Sequence, residues 1–496
     1  MTGSAAYNTP TGDELVYMST IDMVGLLNDR LISSRELLAA MVDRIDRLDH
    51  KTNVVVTVEP ERAMVQAAAV DKARAGGRGG DLGPLAGLPM TVKDSMMVDG
   101  MRTTSGAPEL ADYVADQTAD SVAGLIESGA IVFGKTNLPI YAGDVQTFND
   151  VFGVSNNPWD PARTVGGSSG GSAGALAAGF TPLEVGSDIA GSIRNPAAMC
   201  GVVGHKSSYG IVSGRGQIPG PPGTYTEGDI AVIGPMARTV ADCRLALDLM
   251  IGPNSWNAAA WSINLRQPRH TELSGLRVAV MDDDPYCPVD PEISAAIRDV
   301  ADEMSNGGAV VSFTARPDDF NFPKADETFL LLLGGALSGS WSHAEIEVMA
   351  GRILAGEVVD GGLGVEGATL RHRAWLSANE RRLQMRARWL EFFRDWDVVL
   401  APISPTVAIS HDHSHPMSSR VIDVAGTVRP YTEQMRWMGL FGLVYLPATA
   451  VPIGVHSSGL PMGLQVVGPF LEDLTALAVA ELVETITGGF QRPPGW

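Results

Sequence analysis

Two clusters of glycine and serine carry the residue types in this chain best suited to covalent chemistry. The first, residues 166–172, reads GGSSGGS, and the second is Ala190-Gly191-Ser192. Glycine lets a backbone approach a ligand closely and adopt positive φ. Serines held in such a backbone suit either a phosphate-binding loop or an acyl-transfer site.

A phosphate-binding loop fits these clusters poorly, because its motif needs a lysine directly after the last glycine, and none follows Gly171. Ser168 also matches the nucleophile elbow G-x-S-x-G, which needs a strand before the serine. Residues 157–161 (NPWDP) predict a turn there, and no later histidine has a context that marks it as a base. An acyl-transfer site with a different base is therefore favoured.

Lys93 is the candidate base. It stands near the end of the apolar segment 87–94 (GLPMTVKD), where strand alternation places Thr91 and Lys93 on one face and turns Asp94 away. A serine hydroxyl attacks well only when a base takes its proton, and lysine serves only when burial keeps it neutral. On these residues alone, a surface lysine paired with Asp94 is the favoured interpretation, because lysine is rarely buried.

Three separated motifs then occur in one order. They are residues 87–94, residues 166–172, and residues 188–197 (DIAGSIRNPA), with 75 residues from Lys93 to Ser168 and 24 from Ser168 to Ser192. Together they resemble the amidase signature family. Shorter pieces at 134–137 (GKTN), 235–238 (PMAR) and 459–465 (GLPMGLQ) extend the resemblance through most of the chain.

The resemblance implies an α/β fold, a single large α/β/α domain over residues 1–496 whose mixed, twisted central sheet is flanked by helices. The signature core covers about residues 87–206. The polar segment 252–275 is then a surface connection between two halves of one fold and not a domain boundary.

The resemblance also implies roles for individual residues. Ser192 is the nucleophile, Ser168 the bridging serine and Lys93 the general base. Neighbouring residues would support them: the backbone N–H groups of an oxyanion hole at Ile189, Ala190, Gly191 and Ser192, a cis peptide bond from Gly167 to Ser168, a hydrogen bond from Ser187, and a loop held by Asp188 and Arg194. Many members have glycine where this chain has Ala190, so we expect a slightly narrower hole.

The expected reaction is hydrolysis of an amide C–N bond through an acyl-serine, with no metal or organic cofactor. Candidate pocket residues are apolar and aromatic, which favours a small uncharged amide, hydrophobic or aryl, such as an anilide or carbamate. These residues are Tyr141, Phe148, Pro219, Trp437, Met438 and Phe441. Two alternatives remain: the catalytic subunit of a glutamine-dependent tRNA amidotransferase, and a non-catalytic protein that retains the fold.

The net charge of the chain limits the kinds of binding partner that we expect. The 496 residues carry a net charge of −21, which disfavours nonspecific binding to nucleic acid or anionic membranes. We therefore expect a small-molecule amide as the sole partner, with no nucleic acid and no membrane, and a monomer or homodimer.

The N-terminus shows no signal-peptide pattern, and three cysteines form neither a disulfide framework nor a CxxC pair, so the cytoplasm is expected. The histidines of 411–415 (HDHSH) predict a solvated loop, since a metal site would lack further ligands.

Strands and helices are predicted to alternate along the chain, which favours a layered α/β architecture. Ser19 with Asp22, and Ser33 with Glu36, have capping-box spacing and predict two early helix starts. Short apolar runs predict strands at 54–58, 87–94, 130–134, 183–185, 276–281, 309–313, 397–400, 447–452 and 463–467. Further helices are predicted at 118–128, 239–250, 291–304 and 473–486, and over much of 323–395.

Overall fold

The computed structural model describes residues 12–77, 79–218, 222–357, 359 and 361–496. The strands of these residues, in chain order, are β1 (Val55–Val58), β2 (Pro89–Lys93), β3 (Ile131–Thr136), β4 (Phe148–Asn149), β5 (Gly153–Val154), β6 (Leu183–Asp188), β7 (Val203–Lys206), β8 (Val232–Ala237), β9 (Arg277–Val280), β10 (Val310–Ser312), β11 (Val398–Pro402), β12 (Val421–Val424), β13 (Thr427–Pro430), β14 (Ala448–Val455) and β15 (Pro461–Val467).

The α-helices of the same residues are α1 (Asp13–Val16), α2 (Thr20–Asn28), α3 (Ser34–Leu48), α4 (Pro60–Ala75), α5 (Asp120–Glu127), α6 (Gly170–Ala177), α7 (Arg194–Cys200), α8 (Val240–Met250), α9 (Pro291–Asn306), α10 (Phe322–Leu337), α11 (His343–Leu354), α12 (Gly362–Ala368), α13 (His372–Asp395), α14 (Arg436–Gly442) and α15 (Asp473–Thr487). Among these helices, none is long and apolar enough to cross a bilayer.

The main sheet has eight strands in the order β10-β9-β11-β15-β14-β7-β8-β6. The three strands at the β10 end are parallel to one another, whereas every other pairing along the sheet is antiparallel. Helices such as α7, α8 and α15 pack against its strands. The predicted large mixed sheet flanked by helices is confirmed.

The segment 252–275 contains, besides irregular backbone, only the short 3₁₀ turn Asn257–Ala259 among the described elements. The main sheet takes strands from both sides of it, β8 before and β9 after. A shared sheet is compatible with one domain over residues 1–496 and with a surface connection at 252–275, and both stay predictions.

The two early helices begin where the capping residues predict. The side chain of Ser19 accepts from the Asp22 N–H, and Ser33 with Glu36 forms a complete capping box at the start of α3. α3 then buries one apolar face that includes Leu37 and Met41. Because a cap satisfies N–H groups that a helix leaves unpaired, these short polar patterns are reliable helix starts.

A smaller sheet, β1-β3-β2, lies beside the main one, because β2 packs against β6, the edge strand of the larger sheet. β2 and β3 are parallel, and in their register Lys93 is opposite Thr136. Lys93 is the last residue of β2, and β6 is followed directly by the glycine-serine turn that contains Ser192. The junction between the two sheets therefore brings the candidate residues together.

Candidate active site

Lys93 ends β2 and is fully buried, so the alternative of a surface lysine paired with Asp94 is excluded. Its Nζ lies 2.6 Å from Ser168 Oγ and 3.0 Å from the Oγ atoms of Ser169 and Ser187. Asp94 faces the other way, and its carboxylate accepts a hydrogen bond from the Thr104 N–H at 3.1 Å. The amine is thus surrounded by hydroxyl groups.

The protonation of this amine follows from its surroundings. Burial lowers the pKa of Lys93 to about 7, and the negative charges of Asp188 and Glu184 oppose this effect only in part. A buried ammonium loses its hydration, so the neutral amine is favoured unless a paired carboxylate compensates. Near neutral pH a large fraction of Lys93 is therefore available as a base.

Ser168 is held in a tight loop just before α6. The Gly167–Ser168 peptide bond is cis, as the family resemblance implies. Gly167 has no room for a side chain, because a Cβ there would lie 2.8 Å from the Asp144 carbonyl oxygen and from the Gln146 N–H nitrogen. The close contact with residues 144–146 explains why glycine precedes this serine.

Ser192 lies in the turn after β6, with 5% of its surface exposed. The Ser169 N–H donates to the Ser192 carbonyl oxygen at 3.0 Å, which joins the two glycine-serine loops. Within the described residues, no hydrogen bond links the Ser168 and Ser192 hydroxyls. The structure thus forms the contact from Lys93 to Ser168 and leaves the second contact, between the two serines, unformed.

The turn from Asp188 to Arg194 is fixed by a buried ion pair. Arg194 donates through its side-chain Nε and Nη2 atoms to the two carboxylate oxygens of Asp188, at 3.0 and 2.9 Å. Burial acts to raise the pKa of Asp188, but the charge and hydrogen bonds of Arg194 outweigh it and lower that pKa to about 2. Arg194 also donates to the Gln465 side chain at 2.9 Å, which ties the turn to β15.

One of the four predicted oxyanion donors is engaged elsewhere. The Gly191 N–H donates to Asp188 Oδ1 at 2.8 Å, because the turn folds back on that carboxylate. The N–H groups of Ile189, Ala190 and Ser192 make no backbone hydrogen bond within the part of the chain that the structure describes. These three N–H groups are the remaining candidates for stabilising an oxyanion.

The alanine that replaces the family glycine causes no backbone strain. Ala190 does not adopt positive φ, whereas Gly191 has φ +112°. A Cβ on Gly191 would overlap the side chain of Met438. Glycine is therefore required at 191 and not at 190.

The predicted pocket residues divide into two groups. Trp437 and Phe441 are buried in the core, where the Trp437 Nε1 donates to the Cys287 carbonyl and Phe441 packs edge-on against Trp389, and their assignment to a pocket stays a prediction. Apolar periodicity alone does not distinguish a core residue from a pocket residue. Met438, which contacts Gly191, is the predicted pocket residue that borders the turn from Asp188 to Arg194.

The other pocket candidates are bound to neighbours. The Tyr141 hydroxyl donates to the Glu109 carboxylate at 2.6 Å, and the ring of Phe148 stacks on that of His413 with centroids 4.0 Å apart. Pro219 lies outside the described residues. Among the described residues no group of three or more histidine, cysteine or carboxylate side chains is arranged to hold a metal ion, and this includes the histidines of 411–415.

The sequence patterns missed two polar side chains near Lys93. Ser169 contributes a hydroxyl 3.0 Å from Nζ, and Glu184 is fully buried within β6. The signal for Glu184 is present in the sequence, because a carboxylate between Leu183 and Val185 interrupts an otherwise apolar strand. Charged residues are seldom fully buried without a reason.

Known proteins resemble this chain along nearly its whole length. The family model described as Amidase matches residues 36–477. The A subunit of glutamyl-tRNA(Gln) amidotransferase from Moorella thermoacetica is 32% identical over 97% of this chain and 99% of its own length. A solved structure described as a vestigial protein complex that reveals the origins of an s-triazine catabolic enzyme has a TM-score of 0.79 and 27% identity, covering 96% of this chain and 100% of that one. A bacterial aryl acylamidase has the same fold, with a TM-score of 0.79 at 23% identity over 95% and 97% of the two chains.

These relatives correct the expectation about partners. The expectation of a small-molecule amide as the sole partner, with no nucleic acid and a monomer or homodimer, is wrong. The Moorella relative is named as one subunit of an enzyme, and that enzyme is named for a tRNA. Net charge fails as a guide because it reports on nonspecific phosphate binding and not on assembly with other subunits.

The catalytic motifs, the eight-stranded mixed sheet and the family match over residues 36–477 lead to one conclusion. The chain belongs to the amidase signature family.

Proposed function

We propose that this chain cleaves an amide C–N bond through an acyl intermediate on Ser192, with Ser168 as the proton relay and Lys93 as the base. The observation that carries the proposal is the fully buried amine of Lys93, 2.6 Å from Ser168 Oγ and surrounded by hydroxyls. Such an amine can accept a proton near neutral pH.

In the proposed reaction, protons move between Ser192, Ser168 and Lys93 as bonds to the carbonyl carbon form and break. Lys93 Nζ takes the Ser168 proton while Ser168 takes the Ser192 proton, and Ser192 Oγ bonds to the carbonyl carbon. Free N–H groups of the turn would stabilise the resulting oxyanion, an effect worth about 3–4 kcal/mol for one donor. The relay returns a proton to the leaving nitrogen as the C–N bond breaks, and water then releases the acyl group by the same path.

This mechanism requires the Ser168 and Ser192 hydroxyls to approach each other when substrate binds. Catalytic hydrogen bonds are often long in unliganded enzymes and shorten in the substrate complex. The hydrogen bond between the Ser169 N–H and the Ser192 carbonyl already holds the two loops together.

For the substrate, we propose the side-chain amide of glutamine, with the chain acting as the amide-hydrolysing subunit of a tRNA-dependent amidotransferase. The support is the likeness to the Moorella amidotransferase chain along nearly the whole length of both proteins. In this proposal the released ammonia is used by partner subunits, and residues 1–496 fold as one domain.

A second candidate is an uncharged hydrophobic or aryl amide. One observation favours it: the thioether of Met438 lies against Gly191, so an apolar surface borders the oxyanion turn. Apolar walls bind an aryl or alkyl group more favourably than the charged end of glutamine.

The test has two parts. A fluorophosphonate probe followed by mass spectrometry should label Ser192 in the wild type, far more slowly in Lys93→Ala, and should not label Ser192→Ala at position 192; an unlabelled wild type would instead indicate a non-catalytic protein with this fold. Ammonia release from glutamine is then compared with p-nitroacetanilide hydrolysis. Turnover of glutamine supports the subunit proposal, and turnover of the anilide alone supports the second candidate.

A further inference from the structure

Glu184 is a buried carboxyl that the proposed mechanism does not use. It lies on β6, beside β2, and Thr91 Oγ1 is hydrogen bonded to its Oε1. Thr91 is two residues before Lys93, so both side chains leave β2 on the same face. Glu184 therefore lies on the face of β2 that carries Thr91 and the candidate base Lys93.

The side chains directly around the Glu184 carboxyl carry hydroxyls, and no ion pair is formed with it by any residue that the structure describes. The side chains of Ser172 and Thr136, which are 2.9 Å apart, stand next to the carboxyl with Thr91. Its second oxygen, Oε2, is buried and has no hydrogen-bond partner within the described residues. A carboxylate so placed lacks the ion pair that a buried charge normally needs.

The ionisable groups near this carboxyl can be named by strand. Lys93 and Asp94 come from β2, Lys135 from β3, and Asp188 from the end of β6. Asp188 is committed to Arg194, and the amine of Lys135 is bonded to the Met96 carbonyl and the Thr103 hydroxyl.

The charges of Glu184 and Lys93 depend on each other. Burial raises the pKa of Glu184 to about 8, whereas burial lowers the pKa of Lys93 to about 7, and the charge of Glu184 opposes that lowering. The charge of Glu184 also acts on the pKa of Lys135, but of these two amines it is Lys93 that contacts a proposed catalytic serine.

We propose that Glu184 is a positioning residue for the base: its carboxyl and the Lys93 amine titrate as a coupled pair, and Glu184 sets the pH range over which Lys93 loses its proton. The proposal rests on the function proposed above. It gives a role to a carboxyl that is fully buried inside β6.

The direction of the effect follows from the signs of the charges. As pH rises, ionised Glu184 holds a proton on Lys93, so the neutral amine forms over a wider and higher pH range than for a lone lysine. Replacing the carboxyl by an amide removes this charge. Lys93 should then lose its proton in a single step with a lower midpoint.

The experiment measures the rate of fluorophosphonate labelling of Ser192 from about pH 5.5 to 10, which requires no knowledge of the substrate. For the wild type, the rise of the labelling rate with pH on the acid side (the acid limb) should be less steep than a one-proton titration. Glu184→Gln should show a one-proton limb with its midpoint about half a pH unit lower, so that labelling on the limb is about threefold faster. Asp94→Asn is the matched control, because this buried carboxyl faces Thr104, and its limb should superimpose on that of the wild type.

Three results would overturn the inference or its basis, and they are distinguishable. A Glu184→Gln limb with wild-type slope and midpoint refutes the coupling, and so does a uniform fall in rate without a moved limb, which would indicate a purely structural role. A wild type that labels without any acid limb refutes Lys93 as the base instead. If Glu184→Gln does not fold, Thr91→Val removes the hydrogen bond that stabilises the ionised carboxyl, and its midpoint should move in the same direction by a smaller amount.

Discussion

The buried ion pair between Asp188 and Arg194 gives a prediction with a definite magnitude. In Asp188→Asn the amide replaces a carboxylate that accepts from the Arg194 side chain at 2.9 and 3.0 Å. The lowering of the Asp188 pKa from 3.8 to about 2 corresponds to about 2 kcal/mol of interaction. The variant also leaves the Arg194 charge buried and unpaired, and breaking such a pair costs about 3–5 kcal/mol in all.

The assay is urea unfolding followed by intrinsic fluorescence, and the matched control is Asp120→Asn. Asp120 pairs with Arg215 at 3.0 Å, but both side chains are about one-fifth exposed, so solvent screens the pair and its loss should cost about 1 kcal/mol or less. Asp188→Asn should lower the unfolding midpoint several times more than the control and abolish labelling of Ser192. Equal effects of the two variants would refute the argument that this pair holds the turn.

A double variant separates stability from function. Asp188→Asn with Arg194→Met removes both charges, so part of the lost stability should return while Ser192 stays unlabelled. The pH dependence has a fixed sign: because the folded-state pKa of Asp188 is lowered, its contribution is present above about pH 4 and is lost as pH falls towards 2. Full stability at pH 2 would contradict that assignment.

Three other predictions concern the site directly. Lys93→Ala should reduce Ser192 labelling by about 10²- to 10⁴-fold, whereas the exposed Lys51→Ala should not; a residual rate above one-tenth of wild type would contradict the base assignment. Gly191→Ala should reduce labelling at least about tenfold, because its Cβ overlaps Met438 at positive φ, while Gly459→Ala, with φ +82° and open space around it, should cost only about 1 kcal/mol of stability. Labelling of wild type should fall below about pH 7, as Lys93 gains a proton, and rise towards alkaline pH; a flat rate down to about pH 5 would contradict a neutral lysine.

Local patterns predict most of the regular structure because they act through near neighbours. The caps at Ser19 and Ser33 begin helices as expected, and the predicted strands and later helices are present with small shifts at their ends. The helix α6 is not predicted by its sequence, since three of the eight residues in GGSAGALA are glycine, which disfavours a helix. The tertiary packing that buries every residue of α6 outweighs this propensity.

Long-range structure explains the remaining differences. The sequence motif does not show that the Gly191 N–H donates to Asp188. That contact depends on the position of Arg194, which donates to Gln465 in β15. Likewise the aromatic composition around Trp437 and Phe441 does not show that both side chains are buried in α14. Sequence motifs identify which residues meet, whereas orientation is decided by elements far away along the chain.

The two buried basic side chains of the candidate site, Arg194 and Lys93, differ in their protonation. Arg194 keeps its charge because Asp188 pairs with it through two hydrogen bonds, and this fixed charge shapes the turn that presents Ser192. Lys93 is equally buried but its contacts are hydroxyls, so nothing fully compensates its loss of hydration and the amine becomes neutral near pH 7. If a carboxylate paired directly with Lys93, as Asp188 does with Arg194, the amine would stay protonated and could not act as a base. The placement of Glu184 behind Thr91, close enough to influence Lys93 and too far to form an ion pair with it, is therefore consistent with catalysis near neutral pH.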